Sequence, residues 1–138
     1  MAWSWQAGRK FASIEVNPDG GVARPAPAAP GNTFHVHLGS TGCTGNPVTG
    51  ETVQCERPNR MDFSFPAFDA ATQRIAVDLA ALFAASRLND DQGGAAGCMS
   101  GATDPECAPV FQAMQIDLAS GEPIAAGERQ TLFRAEAR

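Results

Sequence analysis

The sequence predicts a mainly β, antiparallel, sandwich-like fold with two short helices and two disulfide-closed loops. Three observations carry that prediction. Apolar and polar residues alternate at period two over 33–38 and again over 61–65, the pattern of half-buried strands. Apolar spacing turns helical in two short stretches, near 79–86 and 105–114. Four cysteines fall in two pairs, and the intervals are rich in Gly, Thr, Pro and Asp, which favour loops.

Taken in order, residues 9–16 place Phe11 and Ser13 on one face and Ile14 and Val16 on the other, an imperfect strand. Residues 17–32 hold four prolines and read as a loop, because proline donates no ladder hydrogen bond. Residues 33–40 set Phe34, Val36 and Leu38 against His35 and His37, a clear strand. The Cys43–Cys55 loop follows and returns through Val53. Residues 61–68 alternate again, with Phe63 and Phe65 sharing a face, and Ile75 and Val77 continue the pattern to Asp78. Asp78 is placed as the N-cap of a helix carried by Leu79, Leu82 and Phe83. A Gly/Ala-rich loop runs from Asn89 to Gly97. Asp104, Pro105 and Glu106 then open the second helix with an N-cap, a proline at the first helical position and an acid in the first turn. Val110, Phe111 and Met114 form its buried stripe, and a last strand over 131–134 carries Leu132 or Phe133 inward.

The chain has 138 residues, the size of one domain, taken here as 1–138. Its apolar fraction of 43% is inflated by 25 alanines, and Leu, Ile, Val and Phe together also number 25. The core is therefore thin, yet a net charge of −5 is too small to keep such a chain disordered. One lysine, Lys10, and nine scattered arginines exclude the basic surface that nucleic acid requires. No run approaches the roughly 18 apolar residues of a membrane-spanning helix. The N-terminus lacks the basic and apolar regions of a signal peptide.

Four cysteines allow three pairings, and sequence alone does not choose among them. Two local loops, Cys43–Cys55 and Cys98–Cys107, are the simplest and cost least entropy to close. Each would stabilise a thin core by roughly 2–3 kcal/mol. Structural zinc is the rival reading, but its Cys-x₂₋₄-Cys knuckles are absent. Disulfides imply an oxidising compartment, so the expected location is periplasmic, secreted or at the cell surface, with the export signal upstream of Met1.

His35 and His37 lie two apart, so both rings project from one strand face, an arrangement suited to copper or zinc. The plain alternative is two polar residues facing solvent. Trp3 and Trp5 repeat the same spacing, and aromatic packing on a sheet accounts for them without chemistry. Asp62, Asp69, Asp78 and Asp104 fall in loops or caps, and no Gly-x-Ser-x-Gly elbow occurs. The expectation is a binding protein, not an enzyme. Met99 and Met114 are thioether-bearing, but core packing suits both better.

Several segments recur together in a known order: Trp3-Ser4-Trp5-Gln6, Lys10-Phe11, His37-Leu38-Gly39-Ser40-Thr41 with Cys43, Cys55, Asn59-Arg60, Asp78-Leu79, Cys98-Met99-Ser100 and Asp104-Pro105-Glu106-Cys107. This set resembles the MbnP-like proteins, the four-cysteine partner of the metallo-mystery pair. Two departures stand out: family members are about twice as long, and Arg9 stands where an aromatic residue is common. The resemblance places Met1 inside the family domain, so the chain reads as its C-terminal portion, and an exposed sheet edge or unpaired strand is expected. It further implies an exported copper-binding protein paired with a di-haem cytochrome-peroxidase-like enzyme of the MbnH/MauG type. That partner oxidises a tryptophan, here Trp3 or Trp5, to kynurenine, whose aryl amine can join imidazole on copper. His37 is the histidine carried over with the motif, and His35 is its same-face candidate partner. Two imidazoles leave the copper shell short of a donor, to be supplied by kynurenine, a methionine or the N-terminal part. A disulfide-stapled β interaction module without metal is the competing class.

Overall fold

Antiparallel pairing of β1 (Lys10–Val16) with β2 (Phe34–Gly39) is the ladder from which the rest of the fold is hung. The coordinates are a computed structural model describing residues 10–46, 49, 51, 54–124 and 130–138. Alternation along β2 sends Phe34, Val36 and Leu38 into the core, at 1%, 1% and 6% exposure, and leaves His35 and His37 on the opposite face. β1 complies, with Ala12 and Ile14 packing against the same core. The proline-containing stretch between these strands is irregular, as its composition dictates, apart from two isolated bridges, Val22 to Gly31 and Ala23 to Asp90.

Thr41–Cys43 (β3) and Cys55–Arg57 (β4) form a second two-stranded ladder in which Cys43 lies directly opposite Cys55. These two cysteines are bonded, as are Cys98 and Cys107, so both local loops are closed. Val53 lies outside the described residues. A third ladder joins Gln73–Val77 (β5) to Phe133–Ala137 (β6). The fold is thus small and β-rich, with antiparallel ladders and two short helices. Among the described residues no further strand pairs with β5 or β6, and Ile75 and Val77 are 45% and 44% exposed.

Residues 61–68 correct the sequence reading, for they form no strand. Pro66 lacks a donor, and a turn from Phe65 to Phe68, closed by a 3.1 Å hydrogen bond, ends any extended run. The alternation there serves packing instead: Phe63 and Phe65 meet edge to face, and Phe63 stacks on Phe133 at 4.4 Å between ring centroids. The final strand likewise starts at Phe133, two residues later than expected, with buried Leu132 just before it.

Helix α1 (Leu79–Phe83) is capped by Asp78, whose carboxylate accepts a 2.9 Å hydrogen bond from Ala81 N–H. It stops short of residue 86 because three-residue turns close at Ala84 and Ser86. Helix α2 (Cys107–Ala113) begins later than the Asp104 cap predicts. Asp104 uses one carboxylate oxygen on Glu106 N–H and the other on Met99 N–H, which fixes a turn ahead of the helix instead of capping it. Val110, Phe111 and Met114 are buried as expected, and Met114 is therefore a packing residue. Phe34 meets Phe83 edge-on at 6.2 Å, joining β2 to α1. Burying the fully enclosed Phe34 ring stabilises by about 3 kcal/mol, and the partly buried Phe83 ring by less.

Candidate metal centre

The face of the β1–β2 ladder turned away from the core carries His35 and His37, and the register decides what stands opposite them. Glu15 faces His35 and Ser13 faces His37. One donor atom each from Glu15, His35 and His37 lies within 4.8 Å of the other two, and this is the one such group among the described residues. The imidazole centroids are 5.5 Å apart and tilted by 59°. Both rings are half-buried, while Glu15 is exposed.

His35 Nδ1 is buried and makes no hydrogen bond. The nearest opposite charge, Glu15 Oε1, is 3.6 Å away, beyond hydrogen-bond reach. A buried ring nitrogen without a partner loses its hydration for nothing in return, and a cation between the three groups would satisfy it. The chain's residues therefore fit a metal ion on this face. Burial, then the Lys10 charge and His35, hold the His37 pKa below its ordinary value of 6.5, with Glu15 opposing them. At neutral pH the His37 ring is thus neutral, the form that ligates metal.

The histidines are also held from behind. The 97–100 segment lies along the edge of β2 that β1 does not use, where Val36 bridges Cys98 in parallel. Cys98 N–H donates to His35 C=O at 2.8 Å, and His37 N–H donates to Cys98 C=O at 2.9 Å. Cys98 is fully buried and bonded to Cys107 at the head of α2.

Of the residues that the sequence singled out, the structure brings His35 and His37 together and adds Glu15, which sequence reading missed. The missing signal was the β1–β2 register, since Glu15 sits twenty residues before His35 and only cross-strand pairing joins them. Trp3 and Trp5 lie outside the described residues. Asp62, Asp69, Asp78 and Asp104 do not join the group, and the Asp69 and Asp78 pKa values are lowered mainly by backbone N–H groups, as turn and cap carboxylates are.

The architecture and this face define a small, disulfide-bonded, β-rich protein presenting a two-imidazole, one-carboxylate donor group. A model of the MbnP family matches residues 1–100. The solved structure of MbnP from Methylosinus trichosporium is similar with a TM-score of 0.86 and 45% identity, over 99% of this chain and 50% of the relative. The chain belongs to the MbnP family. It spans about half the length of that relative. Comparison with curated proteins returned no match.

Proposed function

We propose that this is a copper-binding protein whose site is the His35–His37 face of the β1–β2 ladder. The observation that carries the reading is the convergence of two imidazoles and the Glu15 carboxylate within 4.8 Å, with one ring nitrogen buried and unpartnered. Imidazole suits copper and zinc alike, but affinity for a given nitrogen–oxygen site peaks at Cu²⁺ among first-row divalent ions. Family membership supports the same choice. Glu15 is the local candidate for the third donor that two histidines lack. A kynurenine made from Trp3 or Trp5 by a di-haem partner enzyme is a further donor under this reading. The two disulfides suit an oxidising compartment, consistent with action in the periplasm or outside the cell as a metal-holding protein, not a catalyst.

His37 belongs to the family segment, so it is expected to contribute more than His35. The test is copper stoichiometry after exhaustive dialysis for wild type, His35→Ala and His37→Ala. The reading expects His37→Ala to lose most of the copper with its fold intact, and His35→Ala to lose less. Full copper retention in His37→Ala would overturn the site and favour a metal-free interaction module.

A further inference from the structure

We infer that the 97–100 segment is a positioning clamp for the two histidines, with Ser100 and Asp91 as its polar anchors. The inference rests on the metal-binding reading of that face, but it concerns how the rings are aimed. A histidine ring on a strand points where its backbone points. Here the peptide groups of both residues are fixed on the edge that β1 leaves open.

Three kinds of contact do this. Cys98 takes the His35 carbonyl and the His37 N–H, as a third strand would. One residue pair further on the chain turns away, and a side chain replaces the missing peptide. The Ser100 hydroxyl donates to His37 C=O at 2.8 Å and accepts from Gly39 N–H at 3.1 Å. Ser100 is 1% exposed and holds φ at 61°, a conformation that non-glycine residues rarely adopt. The third contact is steric. Gly97 has φ of 68°, and a Cβ there would collide with the His35 backbone, so the segment can reach the strand only because Gly97 has no side chain.

Asp91 holds that approach in place from the other side. Its carboxylate is 1% exposed, accepts from Gly97 N–H at 2.8 Å and from Gly93 N–H at 3.0 Å, and lies 3.5 Å from Arg24 Nε. None of these groups touches the His35–Glu15 face, so Asp91 and Ser100 are positioning residues. Groups that hydrogen-bond a ligating ring directly commonly alter metal affinity 10- to 100-fold, and anchors that act through the backbone should fall at the low end of that range.

The experiment uses the whole chain and two readouts. Ser100→Gly removes the hydroxyl while suiting the positive φ, and Asp91→Asn keeps the shape but loses the charge. Ser86→Ala, which removes a buried hydroxyl without a hydrogen-bond partner, is the control. Imidazole ¹H–¹⁵N spectra of copper-free protein report ring geometry, and the Cu²⁺ EPR spectrum with copper retention reports the loaded site. The clamp predicts shifted His37 ring signals in Ser100→Gly, a changed EPR spectrum and copper held roughly 10-fold more weakly, with the control unchanged. If Ser100→Gly does not fold, Asp91→Asn decides by the same spectra. Folded variants with wild-type ring signals overturn the clamp. Absence of copper in wild type would instead sink the metal reading, and the copper-free spectra would still decide the clamp.

Discussion

The two disulfides close loops of different length in different surroundings, and the two effects predict opposite orders of importance. Sequence separations are 12 residues for Cys43–Cys55 and 9 for Cys98–Cys107. Loop-closure entropy alone assigns about 2.8 and about 2.6 kcal/mol respectively, so the first bond would matter slightly more. Burial reverses this. Cys98 and Cys107 are both 0% exposed within the core, whereas Cys43 and Cys55 are half-exposed at a ladder end. Replacing both members of the buried pair with Ser strands two hydroxyls, at about 1–3 kcal/mol each, which with the loop-closure loss gives a total of about 5–9 kcal/mol. The Cys43→Ser/Cys55→Ser variant should lose only about 3 kcal/mol. Urea denaturation of wild type and both double variants measures the difference. Since a domain this size has roughly 5–15 kcal/mol in all, the core variant should be close to unfolding without denaturant. Equal losses, or a larger loss at Cys43–Cys55, would refute the reasoning from burial.

Other consequences are as specific. Phe34→Ala should cost about 3–5 kcal/mol in thermal or urea unfolding, because a fully buried ring joining β2 to α1 is lost; a change under 1 kcal/mol would contradict the core described. Burial first, then Asp104 and Asp91, push the Glu106 pKa above its ordinary value despite the hydrogen bond from Gln92 N–H. A carboxyl raised on folding contributes stability below its unfolded pKa and loses it as pH rises through the folded value. Glu106→Gln should therefore unfold at higher denaturant than wild type at pH 8, with the advantage vanishing near pH 4, and parallel pH profiles would show the shift absent. Glu15→Gln should weaken copper retention without lowering thermal stability, since the side chain is exposed; unchanged retention would remove Glu15 from the donor set.

What the sequence made legible was whatever is encoded locally. Period-two alternation placed β1 and β2 within a residue and put Ile75 and Val77 in an extended stretch without marking where β5 starts, and loop-forming intervals made the two local disulfides the simplest of three pairings. The Asp78 cap was readable because a cap is a three-residue interaction. At 61–68 the same alternation misled, because period two marks which side chains are buried and says nothing of a ladder partner. Asp104 misled because its carboxylate had a competing use on Met99 N–H, supplied by a turn. Glu15, Gly97 and Ser100 were invisible for another reason. Their roles arise from contacts 20 to more than 60 residues away in the chain, through antiparallel register in one case and a parallel bridge in the others. The His-x-His pair was readable, but the carboxylate beside it and the segment behind it were not.

The central claim is that a metal ion sits between His35, His37 and Glu15. Anomalous diffraction across the copper K edge, on crystals of the copper-loaded protein, tests it most directly. The account predicts one strong copper peak on the outer face of the β1–β2 ladder, within about 2.0–2.1 Å of a nitrogen of His37, the distance usual for imidazole on a metal of this size. A peak elsewhere on the chain, or a copper-loaded crystal with no peak at that face, would contradict it.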